Sequence, residues 1–143
     1  MIEDAIWKID GYNTDSVVSS VMYDEEVKNA SETYGPSDGI SKIGLIYVSD
    51  FGFAASPSAW TTTMDSYRNF NDVNWLSLIN SWTITHNSSN NTEVFSIYNG
   101  VLYYTGNVAG TGQRHYVYPT FYLLSSVAYS SGDGTKDAPI RIN

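Results

Sequence analysis

Residues 5–9 alternate apolar and polar side chains in the manner of a half-buried strand, and Asp10, Gly11 and Asn13 read as a turn after it. Val17, Val18, Val21 and Met22 then fall at helical spacing within residues 15–29, with Thr14 or Asp15 placed to cap the N-terminus. The valines work against that helix, because β-branching restricts χ1 in a helical turn. Breakers crowd residues 34–39 and predict a loop. Residues 43–48 are the most apolar short run and predict a buried central strand. A short helix or turn over residues 51–55 should follow, with Ser49 or Asp50 as its cap. Asn74, Trp75 and Leu76 open a second apolar landmark, whereas residues 56–71 carry too much Thr, Ser and Asn for an assignment.

From Trp82 onward the pattern becomes strand, turn, strand. Residues 82–85 alternate, 86–92 are polar, 94–98 alternate again, and Asn99-Gly100 is a strong two-residue hairpin signal before the return strand 101–104. Residues 106–112 form a glycine-punctuated loop. Residues 116–123 read as a strand with Pro119 marking an edge or bulge. A turn at residues 132–135 precedes a last short strand, 140–142. The core expected from this pattern contains Trp7, Ile43, Leu45, Ile46, Trp75, Leu76, Trp82, Val117 and Leu123.

The chain of 143 residues is one domain by length, and it has no cysteine. Disulfide frameworks, thiolate metal sites and cysteine nucleophiles are thereby excluded. With 15 acidic and 7 basic residues the formal net charge is -8, which argues against nucleic acid or an anionic membrane as partner. No stretch approaches the roughly 20 apolar residues of a membrane span, and the first residues lack a signal-peptide pattern. Aromatic residues reach 15%, with 12 Tyr and 4 Trp, and Ser, Asn, Thr and Gly fill much of the rest. That vocabulary suits strands, and it also suits binding surfaces, where Tyr supplies rigid contact area and small polar residues supply hydrogen bonds.

Candidate chemistry is sparse. Asp24, Glu25 and Glu26 are adjacent acids that read as a solvated face. His86 and His115 are the two histidines and lack the companion ligands of a metal site. Residues 133–137 carry acids in a turn without the terminal bidentate Glu of a calcium loop. No nucleophile elbow, phosphate-cradling glycine loop or zinc-binding helix motif is present. The expectation is a non-enzymatic chain without metal or cofactor.

The run Lys42-Ile43-Gly44-Leu45-Ile46-Tyr47-Val48-Ser49-Asp50-Phe51-Gly52-Phe53-Ala54 resembles a landmark in extracellular C-terminal domains of surface and pseudopilin-like proteins of Firmicutes-type bacteria. The likeness extends to Ala5-Ile6-Trp7-Lys8-Ile9, Asn74-Trp75-Leu76, Trp82-Thr83-Ile84-Thr85, residues 116–123 and residues 132–139, nearly the whole chain. The arrangement is similar to the C-type lectin fold of formylglycine-generating enzymes and of the variable proteins of diversity-generating retroelements. In those variable proteins a tryptophan strand, a loop-rich segment and a final Val-Arg-Pro strand frame the ligand face; Trp82 and Val117-Tyr118-Pro119 correspond here. Tyr118 stands where Arg is usual, His86 where Pro is expected, and the cysteine pair of the loop after Ala54-Ala55 is missing. Lack of cysteine argues against the oxidase activity of the formylglycine-generating branch, and the calcium-dependent sugar motif of animal lectins is not found.

The resemblance implies an α+β, C-type lectin-like domain over residues 1–143, cut from a longer surface protein, with a twisted antiparallel sheet, one or two helices and long irregular loops. Its first and last strands, 5–9 and 140–142, should lie near each other. It implies an extracellular, cell-surface or phage-particle location and a protein or glycan ligand, with an oligomer compatible. If Val94, Ile97, Val101 and Leu102 face inward, then Thr83, Thr85, Asn87, Ser89, Asn91, Glu93, Tyr103, Thr105, Asn107, His115 and Tyr116 supply exposed contacts. Many of these types are what adenine-directed mutagenesis yields from Asn codons, as in a diversified site. The competing expectation is a structural pilin-like or fibre subunit without a ligand.

Overall fold

The computed structural model describes residues 2–9, 11–12, 17–28, 39–64, 74–76, 79–87, 94–103, 115–133 and 137–143, of which 11, 12 and 87 by backbone alone. In chain order the strands are β1 (Ala5–Trp7), β2 (Gly11–Tyr12), β3 (Gly39–Ser41), β4 (Gly44–Leu45), β5 (Ser81–Asn87), β6 (Val94–Tyr98), β7 (Val101–Tyr103), β8 (Pro119–Thr120), β9 (Tyr129–Ser131) and β10 (Arg141–Ile142). Two short helices, α1 (Ser19–Tyr23) and α2 (Val48–Phe53), lie between them. The protein is thus a small α+β fold built largely from antiparallel strand pairs.

The largest sheet has the order β2-β5-β6-β7. Its hairpin β6–β7 turns where the sequence predicts: Asn99 and Gly100 take φ of 49° and 73°, the left-handed pair that matches strand twist in a two-residue turn. Asn80 Oδ1 accepts from the Asn99 amide, which pins this turn to the start of β5. Gly11 and Tyr12, expected in a turn, instead pair parallel to the end of β5. Smaller antiparallel pairs are β1–β3, β4–β8 and β9–β10. The C-terminal strand therefore finds its partner in β9.

The expected central strand 43–48 is corrected: ladder pairing covers only Gly44 and Leu45, and the chain turns into α2 at Val48. Ile46 still lies beside β5, its carbonyl accepting from the Ile84 amide. The cap expected at Ser49 or Asp50 is corrected: both lie inside α2, whose N-cap is Tyr47. Asp50, at the third helical position, accepts from the Tyr47 amide and satisfies a donor at the helix entrance. The helix expected over 15–29 starts at Ser19 and passes into one π turn over Asp24–Lys28. Thr14 and Asp15 lie outside the described residues.

Met22, Val48, Phe51, Met64, Phe95 and Ile97 centre the hydrophobic core between the helices and the large sheet. Ile97, Val101 and Leu102 face inward as expected, and Val94 is half-buried. Of the predicted core, Trp7 and Ile46 are buried, Leu45, Leu76 and Trp82 are half-buried, and Ile43, Trp75, Val117 and Leu123 are exposed. Val117 and Leu123 are exposed because residues 116–123 do not form one strand. They bridge three partners in turn, Ser81 at Tyr116, β4 at β8, and Ile2 at Leu123, crossing the surface between them.

Candidate functional site

Three segments that the large sheet does not contain build an aromatic pocket. β1 contributes Trp7, whose indole N–H donates to the Ser41 carbonyl at 2.9 Å. The ring lies flat on Gly44: a Cβ at that position would sit 2.3 Å from the indole, so only glycine lets β4 approach. Tyr47 and Tyr122 stack on Trp7 with centroids 6.1 Å and 5.3 Å away. Tyr122 is brought there by the Glu3 amide, which donates to its carbonyl.

The second wall comes from α2 and what docks on its end. Phe53 meets Tyr23 and Trp60 edge to face. Asn74 is buried and donates from Nδ2 to the Phe51 carbonyl, while its Oδ1 accepts from the Leu76 amide. The neighbouring Trp75 is 78% exposed and not in the core. Tyr118, Phe121 and Tyr122 close the third side, giving a cavity of about 420 Å³ also lined by Trp7, Phe53 and Trp75. This is within the size range of small-ligand sites.

Among the described residues Asp50 is the single acidic or basic side chain of the lining. The residue as a whole is exposed, yet burial of its carboxylate raises its pKa, against the lowering effect of the Tyr47 amide. Burial also raises the Tyr122 hydroxyl, with the Asp50 charge adding to the shift, and pushes Tyr47 up to about 12. Beneath the pocket, Glu26 reaches the N-terminus of α2 from the π turn. Its carboxylate accepts from the Val48 and Ser49 amides and from the Thr85 hydroxyl. The reading of Asp24, Glu25 and Glu26 as one solvated face is corrected at Glu26, which is buried.

Two of the expected contact residues are also corrected. Thr83 and Thr85 are 3% and 1% exposed, because β5 presents Ser81, Thr83 and Thr85 to the interior and Trp82, Ile84 and His86 to the other face. The inward threonines are needed there: Thr83 donates to the Phe95 carbonyl across a register shift in the β5–β6 pairing, and Thr85 donates to Glu26. Ser89, Asn91, Glu93, Thr105 and Asn107, and the side chain of Asn87, lie outside the described residues.

Tyr103 and His115 meet through Tyr98, and Tyr116 lies in a separate aromatic pair. Tyr98 contacts Tyr103 and His115, His115 packs against Trp82 at 4.5 Å, and Tyr116 contacts Tyr118 on the pocket rim. Tyr116 is 67% exposed; burial lowers the pKa of His115. Sequence reasoning missed the pocket itself, whose residues come from positions 7 to 122 with no shared spacing. Trp7 and Trp75 were legible as important, but as core. Among the described residues, no three His, Asp or Glu side chains gather at metal-binding distance, and no helix is long and apolar enough to cross a membrane. Compared with protein-family models, curated proteins and solved structures, the chain matches none.

Proposed function

We propose that this chain is a non-enzymatic extracellular recognition domain that binds a protein or glycan partner through the aromatic pocket and the exposed tyrosines beside it. The observation that carries the reading is the pocket: several aromatic walls, a carboxylate and a volume suited to a small group, with Tyr118 of its lining in contact with the exposed Tyr116. Aromatic residues that stay accessible on a folded surface are the usual anchors of binding interfaces. The sequence resemblance supports the finer reading, a C-type lectin-like domain related to variable proteins of diversity-generating retroelements and displayed on a larger bacterial or phage protein.

A glycan array and a pull-down from host-cell extract test this. A ligand found in either should lose at least tenfold in affinity, about 1.4 kcal/mol, with Trp75→Ala and with the double substitution of Tyr103 and Tyr116 to Ala. Affinity unchanged by both variants removes this surface from consideration. No ligand in either assay, together with concentration-dependent self-assembly in sedimentation, supports a structural fibre subunit instead.

A further inference from the structure

The chemistry of the pocket narrows what can enter it. Among the described residues its lining is dominated by rings and aliphatic side chains and contains no Lys, Arg or His, and Asp50 is the one acidic side chain, within a chain of net charge -8. One Asp50 oxygen is engaged by the Tyr47 amide at 3.0 Å, and among the described residues no donor meets the other. An anionic ligand would face an uncompensated carboxylate. A neutral sugar ring carries many hydroxyls, each of which loses water on entry, and besides Asp50 the described lining offers side-chain partners only in Tyr118, Thr120 and Tyr122. A primary ammonium has three N–H donors to satisfy, again more than one carboxylate in an aromatic pocket supports well. A quaternary ammonium has no donors, carries its charge under apolar methyl groups, and is attracted both by ring faces and by a carboxylate.

We infer that the pocket receives a quaternary ammonium group carried by the partner, with Asp50 as counter-ion and Trp75, Phe121 and Tyr122 as aromatic walls. This rests on the recognition reading and specifies the group recognised. Trp75 is the wall most open to solvent, so its ring can meet a ligand without rearranging the core.

Isothermal titration of the folded chain with choline, with the neutral isostere in which carbon replaces the choline nitrogen, and with ethanolamine tests the inference. Choline should bind at least tenfold more tightly than either comparison ligand. Asp50→Asn, which keeps a side-chain carbonyl for the Tyr47 amide, should reduce choline affinity about tenfold and leave the neutral isostere unchanged. Trp75→Ala, on an exposed side chain, gives the same comparison should Asp50→Asn fail to fold: it should weaken choline more than the isostere. Equal affinities for choline and isostere, tighter binding of ethanolamine, or no choline binding overturns the inference. A glycan or protein ligand from the array or pull-down that is sensitive to Trp75→Ala but not to Asp50→Asn leaves the recognition reading standing without it, and absence of any ligand removes both.

Discussion

Trp7 and Trp75 show how little a residue's identity says about its place. Both are large apolar side chains on apolar sequence landmarks, yet Trp7 is held between two tyrosines over Gly44, whereas Trp75 is exposed. Their truncations should therefore diverge. Trp7→Ala is expected to cost about 3 to 5 kcal/mol, the range for a buried aromatic. Trp75→Ala should stay within about 0.5 kcal/mol of the parent, as surface substitutions do. Urea unfolding of both variants checks this; a large loss at Trp75 would show that its ring is part of the packed structure.

At the scale of elements, the contact between α1 and α2 decides a substitution that local propensity would judge the other way. Ala is favoured over Gly inside a helix by roughly 1 kcal/mol. Gly52 lies against α1, where a Cβ would come 2.1 Å from Ser19 Oγ and 2.7 Å from Ser19 Cβ. Gly52→Ala is expected to be net destabilising by about 1 to 3 kcal/mol, because the helices must separate to admit the methyl group. A raised melting temperature would mean that α1 shifts freely on α2. The hairpin β6–β7 is the contrasting element: its turn residues and the inward Ile97 and Leu102 form as the sequence predicts, although burial does not alternate, since Phe95, Ser96 and Ile97 are all buried.

For the whole molecule, Glu26 links stability to pH. Desolvation raises its pKa from 4.5 to about 7, outweighing the hydrogen bonds from Ser49 and Thr85 that favour the carboxylate. The folded state thus holds this proton more tightly than the unfolded chain does. Its contribution is fully present below about pH 4.5 and is lost as pH rises through about 7, a change of roughly 3 kcal/mol in unfolding free energy. Asp50, also raised by burial, acts in the same direction. Chemical denaturation between pH 4.5 and 7.5 should show stability falling over this window in the parent and a flatter profile in Glu26→Gln. An identical slope in the variant would place the pH dependence elsewhere, for instance in general repulsion within an acidic chain.

The sequence by itself determined the strands β5, β6 and β7 with their Asn-Gly turn, and the presence of a helix entrance near Asp50. Each rests on periodicity or turn chemistry confined to a few neighbouring residues. It did not determine which face of β5 is buried, since Ser81, Thr83 and Thr85 are polar and alternation alone assigns them to solvent. The tertiary structure decided that, by placing Glu26 and the Phe95 carbonyl where inward hydroxyls can satisfy them. Likewise the residues 43–48 are apolar enough for a central strand, but ladder pairing stops after Leu45 and the chain enters α2 at Val48, where Glu26, distant in sequence, supplies acceptors for the first helical amides. The pocket was decided in the same way. Trp7, Asp50, Trp75 and Tyr122 acquire a common role only when β1, α2 and the segment around β8 converge, and no local pattern encodes that convergence because the contacts that create it are between residues far apart in the chain.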